Sequence, residues 1–274
     1  MKVCILGGSG QLGRELNMKL TEHDLYSFDK LDLDITNPYR CYDVLSRIRP
    51  DYIINTAAYT DVESCEVKKD LAYRTNTLGA GNIAKISEVL KSKLIYISSD
   101  YVFDGKKGSP YDETDKPSPI NVYGLTKYRG EIEVQNNTER YYIIRTSWLF
   151  GNRGKNFINT VLNLSSDNTI LKVVNDQIGC PTYTADISLA IKSLIENGDY
   201  GTYHLVNDGS CSWYDLAIEI CRIKKIDATI LPLSTQEINK KASIPKNSSL
   251  NNNSHIKLRH WTDALYEYLT KKDN

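Results

Sequence analysis

The sequence has little of what would stabilise or localise a chain by special means. Its six cysteines, at positions 4, 41, 65, 180, 211 and 221, include no C-x-x-C pair, so neither a disulfide framework nor a clustered zinc site is expected. Cys4 lies in an apolar, strand-like run and reads as core. Neither sign of charge is in excess: 34 basic and 34 acidic residues balance. No long basic tract offers an electrostatic hold on nucleic acid or on a membrane surface. No run approaches the roughly 18 apolar residues of a membrane span. The opening MKVCILGG is too short for a secretory signal before it meets a glycine turn. No internal repeat is present. These absences point to a cytoplasmic enzyme or binding protein. Its 274 residues, 41% hydrophobic and 25% charged, suffice for one large domain or two joined ones.

What is present is an alternation. KVCIL (2–6), DLYSF (24–28), DYIINTAA (51–58), KLIYISS (93–99) and YYIIRTSWLF (141–150) read as strands. Stretches 11–20, 38–49, 71–91 and 121–135 carry helical spacing between them. The order predicts right-handed β-α-β crossovers and an α/β fold of Rossmann type, a doubly wound parallel sheet covered on both faces. After about residue 150 the pattern loosens. Helices are predicted at 156–166, 185–197, 212–225 and 261–272, and a strand at 201–207. This half reads as a smaller C-terminal α/β cap on the far edge of the sheet. The asparagine-rich stretch 239–254 reads as a loop, either ordered or mobile.

The first turn is ILGGSGQLG, with Gly7, Gly10 and Gly13 spaced G-x-x-G-x-x-G, Gly8 as an extra, and Gln11 and Leu12 between the last two. Between a strand and a helix, such a turn lets backbone approach a pyrophosphate and presents the helix N-terminus to it. The expected cofactor is NADPH or NADH. Asp29, at the end of the second strand, would accept hydrogen bonds from ribose hydroxyls and disfavour a 2′-phosphate, while Lys30 or Arg14 would offset that repulsion. Asp29 also reads as a simple turn residue. Asp34 and Ile35 would flank the adenine. Ala57, Ala58 and Tyr59 would run beside the pyrophosphate and ribose, although the alanines are equally ordinary packing residues.

Chemistry is suggested by NVYGLTKYRGE, where Tyr123 and Lys127 lie one helical turn apart. The spacing alone is weak: 19 Tyr and 23 Lys in 274 residues give about 1.6 such pairs by chance. Three occur, the others being Tyr26–Lys30 and Tyr268–Lys272. Only Tyr123–Lys127 opens a helix between two predicted parallel strands, with SSD (98–100) ending the strand before it. A nearby ammonium would lower the phenol from its free value of about 10. Tyr123 would then protonate a carbonyl oxygen, with Ser99 orienting that oxygen and Lys127 holding the nicotinamide ribose.

These features resemble the extended short-chain dehydrogenase/reductases. SSDYVFDG, YDETDKPSPINVYGLTKYRGE, IIRTSWLFG, NFINTV, VVNDQIGCPTYTADI and GTYHLVNDGSCSWYDLA together resemble the dTDP-4-dehydrorhamnose reductase family. The resemblance implies a dinucleotide-binding domain over 1–150 and a mainly substrate-binding domain over 151–274, with some segments returning to the sheet. It implies NAD(P)H-dependent reduction of a 4-keto-6-deoxy sugar nucleotide to dTDP-L-rhamnose. Ser99, where a threonine is usual, would serve with Tyr123 and Lys127. Val62, Asp100, Tyr101, Asn121 and Trp148 would lie near the substrate, and NDQIGCPT would line the cleft. Ile244 stands where the family carries arginine, which leaves the nucleotide and sugar open; Lys246 would substitute as a point charge. A homodimer is admitted. In some members magnesium bridges subunits through glutamates; Glu15 matches one such position but Thr262 replaces another, so no metal is expected. Two alternatives stand: a related nucleotide-sugar 4-ketoreductase, or a non-catalytic binding subunit similar to the regulatory subunit of methionine adenosyltransferase.

Overall fold

The structure, a computed structural model, describes residues 1–152, 154, 156–167 and 169–271. The central sheet is parallel throughout. Strands β1 (Lys2–Leu6), β2 (Asp24–Phe28), β3 (Tyr52–Asn55), β4 (Lys93–Ile97) and β5 (Tyr141–Arg145) lie in the order β5-β4-β3-β1-β2. A later strand, Gly201–His204, adds to the β5 edge. Strands that read as unbroken apolar runs are buried on both faces, as a covered parallel sheet requires. Helices α1 (Gln11–Lys19) and α8 (Thr184–Asn197) cover one face through Leu12, Leu16, Ile187, Ile191 and Leu194. Helices α2 (Pro38–Ile48), α5 (Ala80–Leu90) and α6 (Val122–Asn137) cover the other through Leu45, Ile83 and Val134.

Local chemistry explains the helix starts. Asn37 accepts from Arg40 N and is followed by Pro38 at the first helical position. Asn121 accepts from Gly124 N at 2.8 Å to open α6. Ser212 and Asp215 form a reciprocal capping box on α9 (Trp213–Lys224).

The predicted strands over 93–99 and 201–207 stop at Ile97 and His204, and three other predicted elements also differ from the structure. The helix expected over 71–91 is a longer helical run containing α3 (Val62–Val67) just before it, then α4 (Lys69–Tyr73), a π-helical turn (Arg74–Gly79) and α5. The π turn places buried Asn76 so that its side chain holds both Tyr59 N (2.7 Å) and Tyr59 O (3.0 Å), an insertion of the kind found at functional sites. The strand expected over 141–150 stops at Arg145. Trp148 takes a left-handed φ of 45°, and Leu149–Phe150 pairs instead with Thr182–Tyr183. The strand over 51–58 keeps only Tyr52–Asn55; beyond it Ala57 N donates to the Asn55 side chain (3.1 Å) and Asn76 holds Tyr59.

Residues after the sheet build a second core. Phe150, α7 (Phe157–Asp167), α9 and α10 (Trp261–Lys271) enclose Leu216, Ile220, Leu265 and Tyr268. A parallel pair, Ile170–Val174 with Thr229–Leu233, closes it. Other segments of this half return to the sheet: Gly201–His204 pairs with β5, and Ile256 joins the α1–α8 core. The asparagine-rich stretch is an ordered strap. Asp112 accepts from Asn251 and Asn253 side chains (2.9 and 2.8 Å), Glu113 accepts from Asn253 N (3.0 Å), and Glu63 accepts from Lys241 N (2.9 Å). No helix among the described residues is long and apolar enough to cross a membrane.

Candidate active site

The chain reverses its strand order between β1 and β3, and ligands of doubly wound sheets sit at the carboxyl ends there. A cleft of about 360 Å3 occupies that position. Its walls are residues 10–13 after β1, Thr56 and Ala58 after β3, residues 97–100 at the end of β4, Tyr123 and Lys127 from α6, and residues 146–149 after β5.

The glycine turn fits a dinucleotide. Gly7 has φ 83°, a left-handed value, and a side chain on it would meet Ala57 N and Thr56 Oγ1 at 2.8 Å. A Cβ on Gly13 would fall 2.3 Å from Gly7 O, so only glycine lets α1 start this close to β1. Among the described residues no side chain caps the N-terminus of α1, and its first-turn residues border the cleft, a ready anion site.

The remaining predicted cofactor residues divide. Ala58 lines the cleft, and Tyr59 is clamped by Asn76 beside it. Ala57 packs with the sheet core. Asp29 does stand at the end of β2, where its Oδ1 closes its own turn by accepting from Leu31 N (2.8 Å) and Asp32 N (3.2 Å). Lys30 is exposed next to it. Asp34 Oδ1 likewise caps Thr36 N (2.9 Å), and Ile35 is buried against Gly79.

Ser99, Tyr123 and Lys127 meet in the cleft. Ser99, 6% exposed, donates from its hydroxyl to Asp100 Oδ1 (3.0 Å) and accepts from Tyr101 N (3.2 Å) on the same cleft wall as Tyr123. The ring of Tyr123 stands edge-on to Tyr101, with centroids 5.8 Å apart. Burial pushes the phenol above its ordinary value, Asp100 and Cys65 add to the rise, and the Ser99 hydroxyl opposes it. The predicted lowering by an adjacent ammonium is not found. Lys127 turns onto the sheet instead: its Nζ donates to Ile97 O at 2.6 Å and lies 4.2 Å from the Tyr96 ring centroid. Desolvation lowers Lys127 to about 7, and Glu131 one turn on resists the fall. Glu131 in turn is held bidentately by Arg145 (3.0 and 2.8 Å) and by Ser98 (2.5 Å). The other two Tyr-x-x-x-Lys matches lie elsewhere. Tyr26 is an exposed β2 residue, Tyr268 is buried in the second core against Asn159, and Lys272 lies outside the described residues.

The predicted substrate residues are also unequal. Trp148 lines the cleft and stacks on Trp213 at 3.4 Å and 7°. Tyr101 and Trp213 line a second cavity of about 600 Å3, with Phe157, Gln177, Lys172 and Lys240 among its walls. The lysines there are Lys172 and Lys240, not Lys246, whose backbone instead packs against Gly105 and accepts from Ile178 N. Asn121 has both ends of its amide engaged, capping α6 and donating to Ser243 O at 2.8 Å. Val62 opens α3 and lines neither cavity. Asp100 lines the cleft but is 3% exposed, with both carboxylate oxygens bonded to serines.

Trp213 and Thr146 were not legible as site residues. Thr146 lines the cleft with a buried Oγ1 that has no hydrogen-bond partner among the described residues. Its position just past the carboxyl end of β5 is the signal that marks it.

A family model described as the RmlD substrate binding domain matches residues 1–274. The chain belongs to this family. It is 37% identical over 279 aligned residues to the spore coat polysaccharide biosynthesis protein SpsK of Bacillus subtilis, covering 100% of this chain and 98% of that one. Its fold is similar to that of the dTDP-4-dehydrorhamnose reductase of Bacillus anthracis in complex with NADP, at 42% identity and a TM-score of 0.96, covering 98% of this chain and 99% of that one. A Clostridium acetobutylicum dTDP-4-dehydrorhamnose reductase superposes over 100% of both chains at 39% identity and a TM-score of 0.98. The RmlD-family match spans the glycine turn, the Ser99–Tyr123–Lys127 cleft and the cavity beside Trp213 alike.

Proposed function

We propose that this chain is a dTDP-4-dehydrorhamnose reductase, which uses NADPH or NADH to reduce the 4-keto group of dTDP-4-dehydro-6-deoxy-L-mannose to dTDP-L-rhamnose. The observation that carries the reading is the meeting of Ser99, Tyr123 and Lys127 with the glycine turn in one cleft, in a chain of this family. The bound nicotinamide supplies the hydride. The glycine turn and the α1 N-terminus hold the pyrophosphate. Tyr123 gives its phenolic proton to the carbonyl oxygen while Ser99 orients that oxygen. Lys127 is anchored by Ile97 O and holds the nicotinamide ribose. The sugar lies against Tyr101 and Trp148, and residues 151–274 supply most of the substrate-binding half. The nucleotide enters the cavity beside Trp213, where Lys172 and Lys240 offer charge to its phosphates. A binding-only role is disfavoured because it has no use for a proton donor set behind a cofactor turn. The test is a panel of nucleotide 4-keto-6-deoxy sugars, each with NADH and NADPH. The dTDP-linked 4-keto sugar should give the highest kcat/KM. Preference for another nucleotide or sugar would move the chain to a related 4-ketoreductase. Cofactor binding without turnover on any of them would favour a binding subunit.

A further inference from the structure

The two lysines of the cavity beside Trp213 stand on unequal supports. Lys172 lies in the strand Ile170–Val174, in ladder register with Leu231. Lys240 is exposed on the strap, a few residues after a short helical turn (Thr235–Glu237). Before Lys240 the chain is anchored by Asp176, which accepts from Thr235 N (2.9 Å) and Thr235 Oγ1 (2.6 Å). After it, residues 241–245 make no backbone–backbone hydrogen bond among the described residues. The next such bond runs from Ile178 N to Lys246 O at 2.7 Å.

Side chains from elsewhere hold the path between. Glu63, half-buried in the first turn of α3, accepts from Lys241 N at Oε2 (2.9 Å) and from Ala242 N at Oε1 (3.4 Å). Asn121 donates to Ser243 O one residue further on (2.8 Å). Ala242, between the two grips, is 5% exposed. Helix α3 is itself tied down: Asp61 caps it through Ser64 N (2.9 Å), and Glu66 Oε1 accepts from Val122 N of α6 (2.8 Å). Immediately after Lys240, therefore, the strap is pinned to α3 and α6.

We propose that Glu63 is a positioning residue for the sugar nucleotide, clamping the strap so that Lys240 meets the diphosphate in the cavity. The inference rests on the reductase reading, which puts a nucleoside diphosphate there. A lysine is a point charge on a flexible stem, so the place where its backbone is held decides how often the ammonium reaches a phosphate. Coulomb's law alone gives the opposite expectation for Glu63. A carboxylate bonded to the residue after Lys240 repels an anion, and its removal should tighten binding. The sign of the change separates a clamp from a bystander charge.

The test uses the full chain, with dTDP affinity measured by calorimetry, and KM and kcat measured with NADPH and a 4-keto sugar nucleotide. Glu63→Ala should weaken dTDP binding and raise KM by roughly fivefold to tenfold, with kcat and NADPH affinity within about twofold of wild type. Glu63→Gln loses the same charge but keeps an acceptor for the strap, and should stay within about twofold of wild type throughout. Lys240→Ala should weaken dTDP binding by a factor similar to that of Glu63→Ala, and adding Glu63→Ala to it should cost less than about twofold more. Tighter or unchanged dTDP binding in Glu63→Ala, a Glu63→Gln variant as weak as Glu63→Ala, or losses that multiply in the double variant would each overturn the clamp. So would dTDP binding too weak to measure in the wild-type chain. A wild-type chain that binds dTDP but oxidises NADPH with no 4-keto sugar nucleotide is a different result: it defeats the reductase reading, and the dTDP affinities of the variants still decide the clamp.

Discussion

Replacing Arg145 with methionine isolates the electrostatic base on which the cleft is built. Arg145 and Glu131 are 5% and 1% exposed at their side chains and are joined by two hydrogen bonds, Nε to Oε1 at 3.0 Å and Nη2 to Oε2 at 2.8 Å. Such a pair adds little against an apolar alternative, but removing one partner strands a charge in the interior, which costs about 3–5 kcal/mol. The guanidinium also stacks 5.1 Å from the Phe103 ring centroid and donates to Glu113 O at 3.3 Å, so the upper part of that range is expected. Total stability of a domain is only about 5–15 kcal/mol, and the loss should be plain in urea unfolding. The double variant Glu131→Leu with Arg145→Met carries no stranded charge and should recover most of the loss. A single variant within about 1 kcal/mol of wild type, or a double variant no better than the single, would refute the reasoning. Activity adds a second reading of the same change. An unpaired Glu131 would compete for Lys127, one turn away, and draw it from Ile97 O, so kcat should fall further than the folded fraction does.

Three further changes probe the parts of the site separately. Gly13→Ala should weaken NADPH binding by roughly tenfold or more and destabilise the fold by about 1–3 kcal/mol, since the new methyl would sit 2.3 Å from Gly7 O; unchanged affinity by fluorescence titration contradicts this. Trp213→Ala removes the partner stacked on Trp148 and should raise KM for the sugar nucleotide roughly five- to tenfold while cofactor affinity stays the same; a cofactor-only defect contradicts the assignment. Lys127→Met should abolish activity yet stabilise the chain. Burial lowers Lys127 from 10.5 to about 7, so between those values the unfolded chain binds a proton that the folded chain does not, and wild-type stability rises with pH across that window. The gain from Lys127→Met should accordingly be largest below pH 7 and shrink toward pH 10.5. Urea midpoints on either side of the window check the sign, and a gain that grows with pH contradicts it.

What could be read in the sequence was local. Apolar runs such as KVCIL and KLIYIS can only be strands covered on both faces, and Gly7 and Gly13 declare the turn because backbone atoms occupy the space of any Cβ there. Tyr123 and Lys127 share a face through helical geometry alone. What could not be read depends on contacts between distant segments. Lys127 was expected to bias the phenol, but the carbonyl that captures it belongs to β4, and its direction is set by packing over Tyr96. The stack of Trp148 on Trp213 requires the chain to leave the sheet at residue 148 with a left-handed φ, which an apolar run does not announce. Asp29 shows the opposite case: its place at the end of β2 was legible, but its turn-closing bonds were one of two readings the spacing allowed. The strap over 239–254 looked merely polar, whereas its asparagines find acceptors on Asp112 and Glu113 from another part of the chain.

The central claim, that this cleft reduces a carbonyl with Tyr123 as proton donor, is tested most directly by following NADPH oxidation with dTDP-4-dehydrorhamnose in wild type and Tyr123→Phe, with NADPH affinity measured on the same samples. The wild type should oxidise NADPH rapidly. The variant should be slower by a factor of roughly a hundred or more yet still bind NADPH within about twofold of wild type. Turnover by Tyr123→Phe at the wild-type rate would contradict it.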